Sequence, residues 1–320
     1  MERRNAEPGL IDGMTADLGG PRTSALLDDL AQSVPWEKLA RPVRTLYKNN
    51  EKGGAPAWPA VTMLRCVMLA KWFGLSDPQL EENLKDRLSF RRFAGLSLSD
   101  KTPDETTFVV FRRRLREAGM DRTLFDAVAR HLDSLGLLVK EGTLVDATIV
   151  EQAKGKKRED GTSTRDQDAS FTKKHGRTYH GYKGHIAADA SEIVIDYRFS
   201  TASHHDSRYI DEMTTKEKTV VYGDSAYSSG ERRERLRKRG VIDGICYKKN
   251  RGQAELHPYQ EKWNKLVSKV RALVEHPFAR IKRMGFARVR YRGLRPNELD
   301  FALNLIAHNL RRALSLTKTA

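Results

Sequence analysis

Three acids, Asp146, Asp224 and Glu275, stand where their residue type matters chemically. Asp146 lies inside the apolar run Thr-Leu-Val-Asp-Ala-Thr-Ile-Val at 143–150. Aspartate is depleted in strands and an unpaired buried carboxylate is expensive, so a cation must stand beside it: an arginine or a metal ion. Asp224 follows a short apolar run at 219–222 and opens a Ser/Gly-rich turn. Open α/β sheets bind ligands outside the carboxyl ends of their strands, although an aspartate there also serves as a turn former or helix cap. Glu275 lies in Arg271-Ala-Leu-Val-Glu-His-Pro-Phe-Ala-Arg-Ile-Lys282. On a continuous helix Arg271, Glu275, Phe278 and Lys282 share one face, either as a functional set or as a surface ion-pair stripe. Pro277 requires that helix to kink or to begin anew near Glu275. Carboxylates from three separate elements suit Mg²⁺, a hard ion that takes oxygen ligands and keeps part of its water shell. Two such ions about 3.5–4 Å apart stabilise the attacking and leaving oxygens of a phosphodiester displacement.

A polyanionic partner agrees with the charge. The 320-residue chain carries a net +16, and the stretch 231–292 holds 19 Lys/Arg against 6 Asp/Glu. A concentrated positive field attracts nucleic acid and gains from counterion release, whereas a spread one serves only solubility. Apolar residues at 39% suit a globular protein, and no apolar run is long enough to span a membrane. The N-terminus has no apolar segment behind its charges and does not read as a secretory signal. Cys66 and Cys246 sit singly in apolar stretches without metal-binding spacing, which predicts core thiols in a reducing compartment.

The elements that must position the acids fall into two kinds. Residues 1–45 are expected to be a poorly ordered N-terminal segment. From 59 to 136 the pattern is helical. Val61, Leu64, Met68, Leu69, Trp72 and Phe73 recur at helical steps, and Ser76-Asp-Pro78 reads as a cap with proline in the first turn. Thr102-Pro-Asp-Glu105 reads as a capping box ahead of Phe108, Phe111 and Leu115, with Arg112, Arg113, Arg114 and Arg116 displayed around them. Beyond Gly142 the period becomes strand-like. A strand at 143–150 precedes a mobile loop from 154 to about 177, then antiparallel strands at 182–189 and 193–199. A helical piece near 206–215, a strand at 219–222, a helix at 230–240, a strand at 241–247 and a mostly helical tail complete the order. Alternation of this kind predicts an α/β sheet of mixed direction.

Taken together these blocks resemble bacterial insertion-sequence transposases of the IS five group, within the IS four superfamily of DDE enzymes. Leu-Val-Asp146-Ala-Thr is similar to the first-aspartate strand of that family, and Val-Tyr-Gly-Asp224-Ser-Ala-Tyr227 to its second-aspartate motif. Asp168-Ala-Ser-Phe-Thr-Lys-Lys-His, then Tyr-His-Gly-Tyr182-Lys183-Gly-His185, resembles its second block; His205-Asp206-Ser follows in order. Arg271-x3-Glu275-x6-Lys282 matches the third-acid spacing, but Ser268 stands where the wider superfamily has tyrosine, so that tyrosine's role does not transfer.

The resemblance implies an RNase H-like mixed sheet flanked by helices at 139–320, preceded by an all-helical domain at 46–138 that binds DNA ends or dimerises. It implies Asp146, Asp224 and Glu275 as catalytic residues and ligands of two Mg²⁺ ions, with Mn²⁺ able to substitute. Arg271 and Lys282 are expected to contact DNA phosphate or to hold Glu275. Lys183 and His185 are candidates for a supporting layer with Tyr182 beside them, and Arg112 and Arg113 for DNA contact or a solvated helix face. His205-Asp206 reads either as a metal pair or as a local hydrogen-bonded turn. The expected partner is double-stranded DNA, both terminal inverted repeats and target, bound by a homodimer or larger assembly in the bacterial cytoplasm at the nucleoid. Two alternatives stay open: an RNase H-like nuclease without strand transfer, and an inactive DNA-binding derivative.

Overall fold

The computed structural model describes residues 22–47, 56–156, 158, 163–174, 176–249 and 252–319. These residues form two compact units, one of residues 1–128 with 302–320 and the other of residues 129–301.

The first unit is helical. Its helices are α1 (Arg22–Ser33), α2 (Trp36–Arg44), α3 (Ala60–Trp72), α4 (Asp77–Asp86), α5 (Leu88–Ala94), α6 (Glu105–Glu117) and the start of α7 (Met120–Ser134). Two of them, α1 and α2, lie where composition predicts a poorly ordered segment. Their apolar residues are few but fully used: Leu27, Leu30, Trp36, Leu39 and Val43 are all buried. Residues 1–21 of that segment lie outside the described residues. Helix α3 is buried on nearly every side, the pattern of a central helix rather than an amphipathic one. Trp36, Trp72 and Phe93 meet edge to face around it, at centroid distances of 5.5–6.5 Å. Ser76 and Gln79 form the reciprocal cap expected at α4. At α6 the cap is Asp104, which accepts from the Thr107 amide at 2.7 Å; the helix starts at Glu105, two residues later than the Thr102 capping box predicts. The end of the last helix, α12 (Leu294–Thr319), also packs here from Ala302 onward, where the Trp72 indole donates to the Ala307 carbonyl at 2.9 Å.

The second unit is a six-stranded mixed sheet with helices. Its strands are β1 (Thr143–Glu151), β2 (Ser170–Lys174), β3 (Arg177–Ala188), β4 (Val194–Thr201), β5 (Val220–Gly223) and β6 (Ile242–Ile245). β1 is central: it pairs antiparallel with β3 and parallel with β5, and β6 continues the parallel side. β4 and β2 pair with different parts of β3. This is the RNase H-like mixed sheet that the resemblance implies. β2 is an addition. It lies inside the stretch that composition predicts as a mobile loop, and five residues of ladder to β3 order it there.

Between the strands run α8 (Ile210–Met213) and α9 (Gly230–Lys238), and after the last strand come α10 (Pro258–Arg271) and α11 (Glu275–Ile281). Val145, Ala187, Ile210, Val221, Tyr227, Leu236 and Ile245 pack as one core cluster. A second apolar group gathers Phe199, Phe286 and Phe301, with ring centroids 5.3–6.4 Å apart. Gly184 of β3 admits this second group, because a Cβ there would stand 2.6 Å from the Phe301 ring. Cys66 and Cys246 are free and buried, and burial pushes the Cys66 thiol up to about 12. No helix among the described residues is long and apolar enough to cross a membrane.

Overpacking beside a fixed aromatic ring costs about 1–3 kcal/mol. Gly184→Ala is therefore expected to lower unfolding free energy by about that amount, measured by urea titration against wild type. An unchanged midpoint would show that Phe301 is free to move aside.

Candidate active site

β1 brings Asp146 to the middle of the sheet, and β5 brings Asp224 to its edge of the same place. The β1–β5 ladder pairs Thr143 with Val221 and Leu144 with Tyr222. Continued by two residues, that register sets Asp224 beside Asp146. The Asp146 side chain is only 18% exposed. Burial pushes its carboxyl up to about 6, while the Ala147 amide and the Arg271 guanidinium pull the other way and the charge of Asp224 adds to the rise. Asp224 caps the short turn Ser225–Tyr227 by accepting from the Ala226 amide at 2.8 Å. Its capping and site positions are therefore compatible rather than exclusive.

Glu275 reaches this place by a broken path. α10 ends at Arg271, a 3₁₀ turn spans Ala272–Val274, and α11 begins anew at Glu275. Of the two outcomes that Pro277 permits, the fresh start is the one found. Pro277 then sits in the first turn, where its missing donor is harmless. The Arg271 guanidinium stands 3.6 Å from Asp146 and 3.9 Å from Glu275 and so links the two acids. The Glu275 side chain is 64% exposed. Among the described residues no three His, Cys, Asp or Glu side chains come close enough together to hold a metal ion. The arrangement thus joins Asp146 and Asp224 directly and reaches Glu275 through a cation.

Lys282 lies within the field of Asp146, which raises its pKa, but burial and the neighbouring charge of Lys174 outweigh it and bring the amine down. Lys174, at the end of β2, in turn helps to hold the Asp146 carboxyl down. Sequence patterns did not single out Lys174 as a neighbour of Asp146, since β2 itself falls in a stretch composed like a loop.

The remaining candidates separate clearly. Lys183 is buried, paired with Asp206 at 2.9 Å and donating to the His204 carbonyl at 2.8 Å. His185 is fully buried beside Ser200 and packs on Tyr209; burial pushes its pKa to about 4, so it is neutral near pH 7. Both side chains are buried within the fold rather than presented at its surface. Tyr182 does not pack in a reactive role either: its hydroxyl donates to Asp166 at 2.8 Å. His205 and Asp206 take the local-turn alternative, with the His205 ring accepting from the Ser207 amide and Asp206 engaged by Lys183. Arg112 grips Asp77 through two bonds of 2.5–2.7 Å that tie α6 to α4, whereas Arg113 is exposed.

Two supports escape sequence reasoning. Tyr227, three residues past Asp224, is 1% exposed. Burial, then the charges of Asp146, Asp206 and Asp224, hold its phenol well above the usual range, so it remains a proton donor under the acid cluster. Glu192, in the β3–β4 turn at φ 65°, is hydrogen-bonded to His276 and forms an ion pair with Arg280, each at 2.7 Å. It thereby clamps both turns of the helix that begins with Glu275. Only the asparagine-like conformation forced on a glutamate hints at a special position there, and φ is invisible in a sequence.

The Asp146 shift fixes a sign. A carboxyl whose folded pKa is raised contributes stability below its unfolded value, and that contribution is lost as pH rises through about 6. Metal-free Asp146→Asn should therefore melt like wild type below about pH 4 and be more stable at pH 7, by about 3 kcal/mol. Equal stability across that range would place Asp146 in a better-compensated setting than the geometry indicates.

Residues 138–310, more than half of the chain, match the transposase DDE domain, and residues 20–114 match a transposase domain of the DUF772 type. A solved structure, the cryo-EM structure of the piggyBac transposase synaptic complex with hairpin DNA, is similar over 92% of this chain and 75% of that chain, at 10% identity and a TM-score of 0.47. The first match spans β1, β5 and α11, the three elements that carry Asp146, Asp224 and Glu275. The chain belongs to the transposase DDE-domain family.

Proposed function

We propose that this transposase cuts the ends of an insertion sequence of the IS five group and joins the freed 3′-hydroxyls to target DNA, with Asp146, Asp224 and Glu275 as its metal-binding acids. The observation that carries this reading is the β1–β5 register that sets Asp224 beside Asp146, together with the elevated Asp146 pKa. A carboxyl whose ionisation is opposed by burial and by the charge of a second carboxylate is a fit for a hard divalent cation, which would offset both. Mg²⁺, with Mn²⁺ as substitute, would supply Lewis-acid stabilisation of the attacking and leaving oxygens of the phosphodiester.

The chain's own residues do the rest. Asp146 is held rigidly by a strand paired on both edges, and Asp224 by its cap on the following turn. Arg271 bridges Asp146 and Glu275 and neutralises the cluster until DNA and cation compete for it. Once released, its planar guanidinium suits a phosphate by paired hydrogen bonds. Lys282 and Lys174 add positive charge beside Asp146, where a scissile phosphate needs it. The helical unit of α1–α6 recognises DNA ends or pairs two subunits, since two ends must be cut together. Arg113 and Arg114, both exposed, carry that role rather than Arg112, which is committed to Asp77.

Labelled duplex from the flanks of the gene, incubated with Mg²⁺ or Mn²⁺, should be nicked at a defined end by wild type. Asp146→Ala, Asp224→Ala and Glu275→Ala should each reduce cutting to background while leaving end-binding within a few-fold. Joined products separate a transposase from a nuclease of similar fold. Binding without cutting by wild type would instead identify an inactive derivative, and loss of binding in all three variants would make the acids structural.

A further inference from the structure

Apart from the Lys174 charge, the β2–β3 hairpin has no task in the acid site. It extends the sheet beyond β1 and β4 as a two-stranded ribbon from Ser170 to Gly181. Its sequence, Ser-Phe-Thr-Lys-Lys-His-Gly-Arg-Thr-Tyr-His at 170–180, contains three Lys/Arg and no acid. Lys173, Lys174 and Arg177 are exposed. Phe171 is also exposed, at 45%. The ring is nevertheless held in place. Arg165 lies over it at 5.3 Å, and His180, opposite it in the ladder, packs against it at 4.7 Å. Arg177 likewise covers Tyr179 at 5.3 Å.

The foot of the ribbon is anchored. Asp166 accepts from the Tyr182 hydroxyl and the Gly293 amide, each at 2.8 Å, and Asp168 accepts from the Leu294 amide at 2.9 Å. The acids that precede the ribbon are thus bound inward at the start of α12, leaving cations and aromatics outward. The ribbon also ends beside the acids, since the Lys174 charge is felt at Asp146.

Interleaved cations and aromatic faces without acids are what a nucleic-acid strand requires: phosphates pair with the cations, and a base stacks on a ring. We infer that the β2–β3 hairpin is a strand grip, in which Lys173, Lys174 and Arg177 hold backbone phosphates and Phe171, braced by Arg165, stacks on an unpaired base of the DNA entering the acid site. A fully paired duplex has no base face free for Phe171, so the preference is for DNA with at least one unpaired base next to the cleavage position. The inference rests on the proposed DNA-cutting function and adds a binding element to it.

The test uses the full-length protein and two probes from the gene's flanks, one fully paired and one with a single unpaired 2-aminopurine at the end to be cut. Phe171→Ala should lose roughly 5- to 100-fold in affinity for the unpaired probe and leave 2-aminopurine unquenched, with the paired probe little changed. Phe171→Trp should restore both signals. Replacing Lys173, Lys174 and Arg177 together by Gln should weaken both probes and flatten the slope of log affinity against log salt by roughly 2–3. These positions are exposed, and thermal melts equal to wild type would exclude misfolding. Wild-type affinity, quenching and salt slope in all hairpin variants would overturn the inference while wild-type cutting still upheld the function. Equal loss on both probes in Phe171→Ala would overturn the stacking. Wild type that neither binds nor cuts either probe would sink the function itself.

Discussion

Asp146 occupies the middle of β1, which pairs with β3 along its length and with β5 at its start, and most of the second unit answers to that placement. A strand so enclosed offers its side chains little water, and the pKa of the carboxyl rises accordingly. The charge is tolerated because Arg271 arrives from the end of α10, with Lys174 and Lys282 in the background. Asp224 makes the same position worse, by bringing a second negative charge along the β5 ladder. A carboxyl whose ionisation is opposed in this way gains from a cation set against it, as it does from Arg271.

Such a site needs a stiff frame. One apolar cluster around Tyr227 and another around Phe301 fix the sheet, the second requiring the bare Cα of Gly184. The third acid depends on a different device. Because α10 and α11 are separate helices, the direction of α11 cannot be inherited from α10 and is held by the Glu192 clamp on His276 and Arg280. A buried carboxylate held by one hydrogen bond and one ion pair from the same helix gives a defined orientation that loop packing would not.

Charge distribution needs the same structural bookkeeping. The basic excess of 231–292 looks in sequence like one continuous field for DNA. Much of it is internal: Arg232 and Arg235 converge on Asp211, Arg233 pairs with Asp243, and Arg239 satisfies the carbonyls of Thr214, Thr215 and Glu217. The exposed remainder includes Lys262, Lys265 and Lys269 of α10. The acid-free ribbon at 170–180 carries fewer charges, but they are presented outward.

The linear sequence determined the change of period at Gly142, the strand around Asp146, the cap at Ser76 and the broken helix at Pro277, because each follows from local sterics and apolar spacing. It also carried the family motifs, with Asp146, Asp224 and Glu275 in order. Tertiary structure decided what those motifs touch. Lys183 and His185 share a motif block with exposed residues, yet β3 is buried on both faces from His180 onward and the segment 204–209 ahead of α8 covers both. Helices α1 and α2 and strand β2 form in polar stretches because partners distant in sequence cover or pair with them. Whether an arginine or a metal ion compensates Asp146 is likewise a question of what arrives from 125 residues away, as Arg271 does. Local pattern reports a residue's own backbone preference, and only the packed chain reports its neighbours.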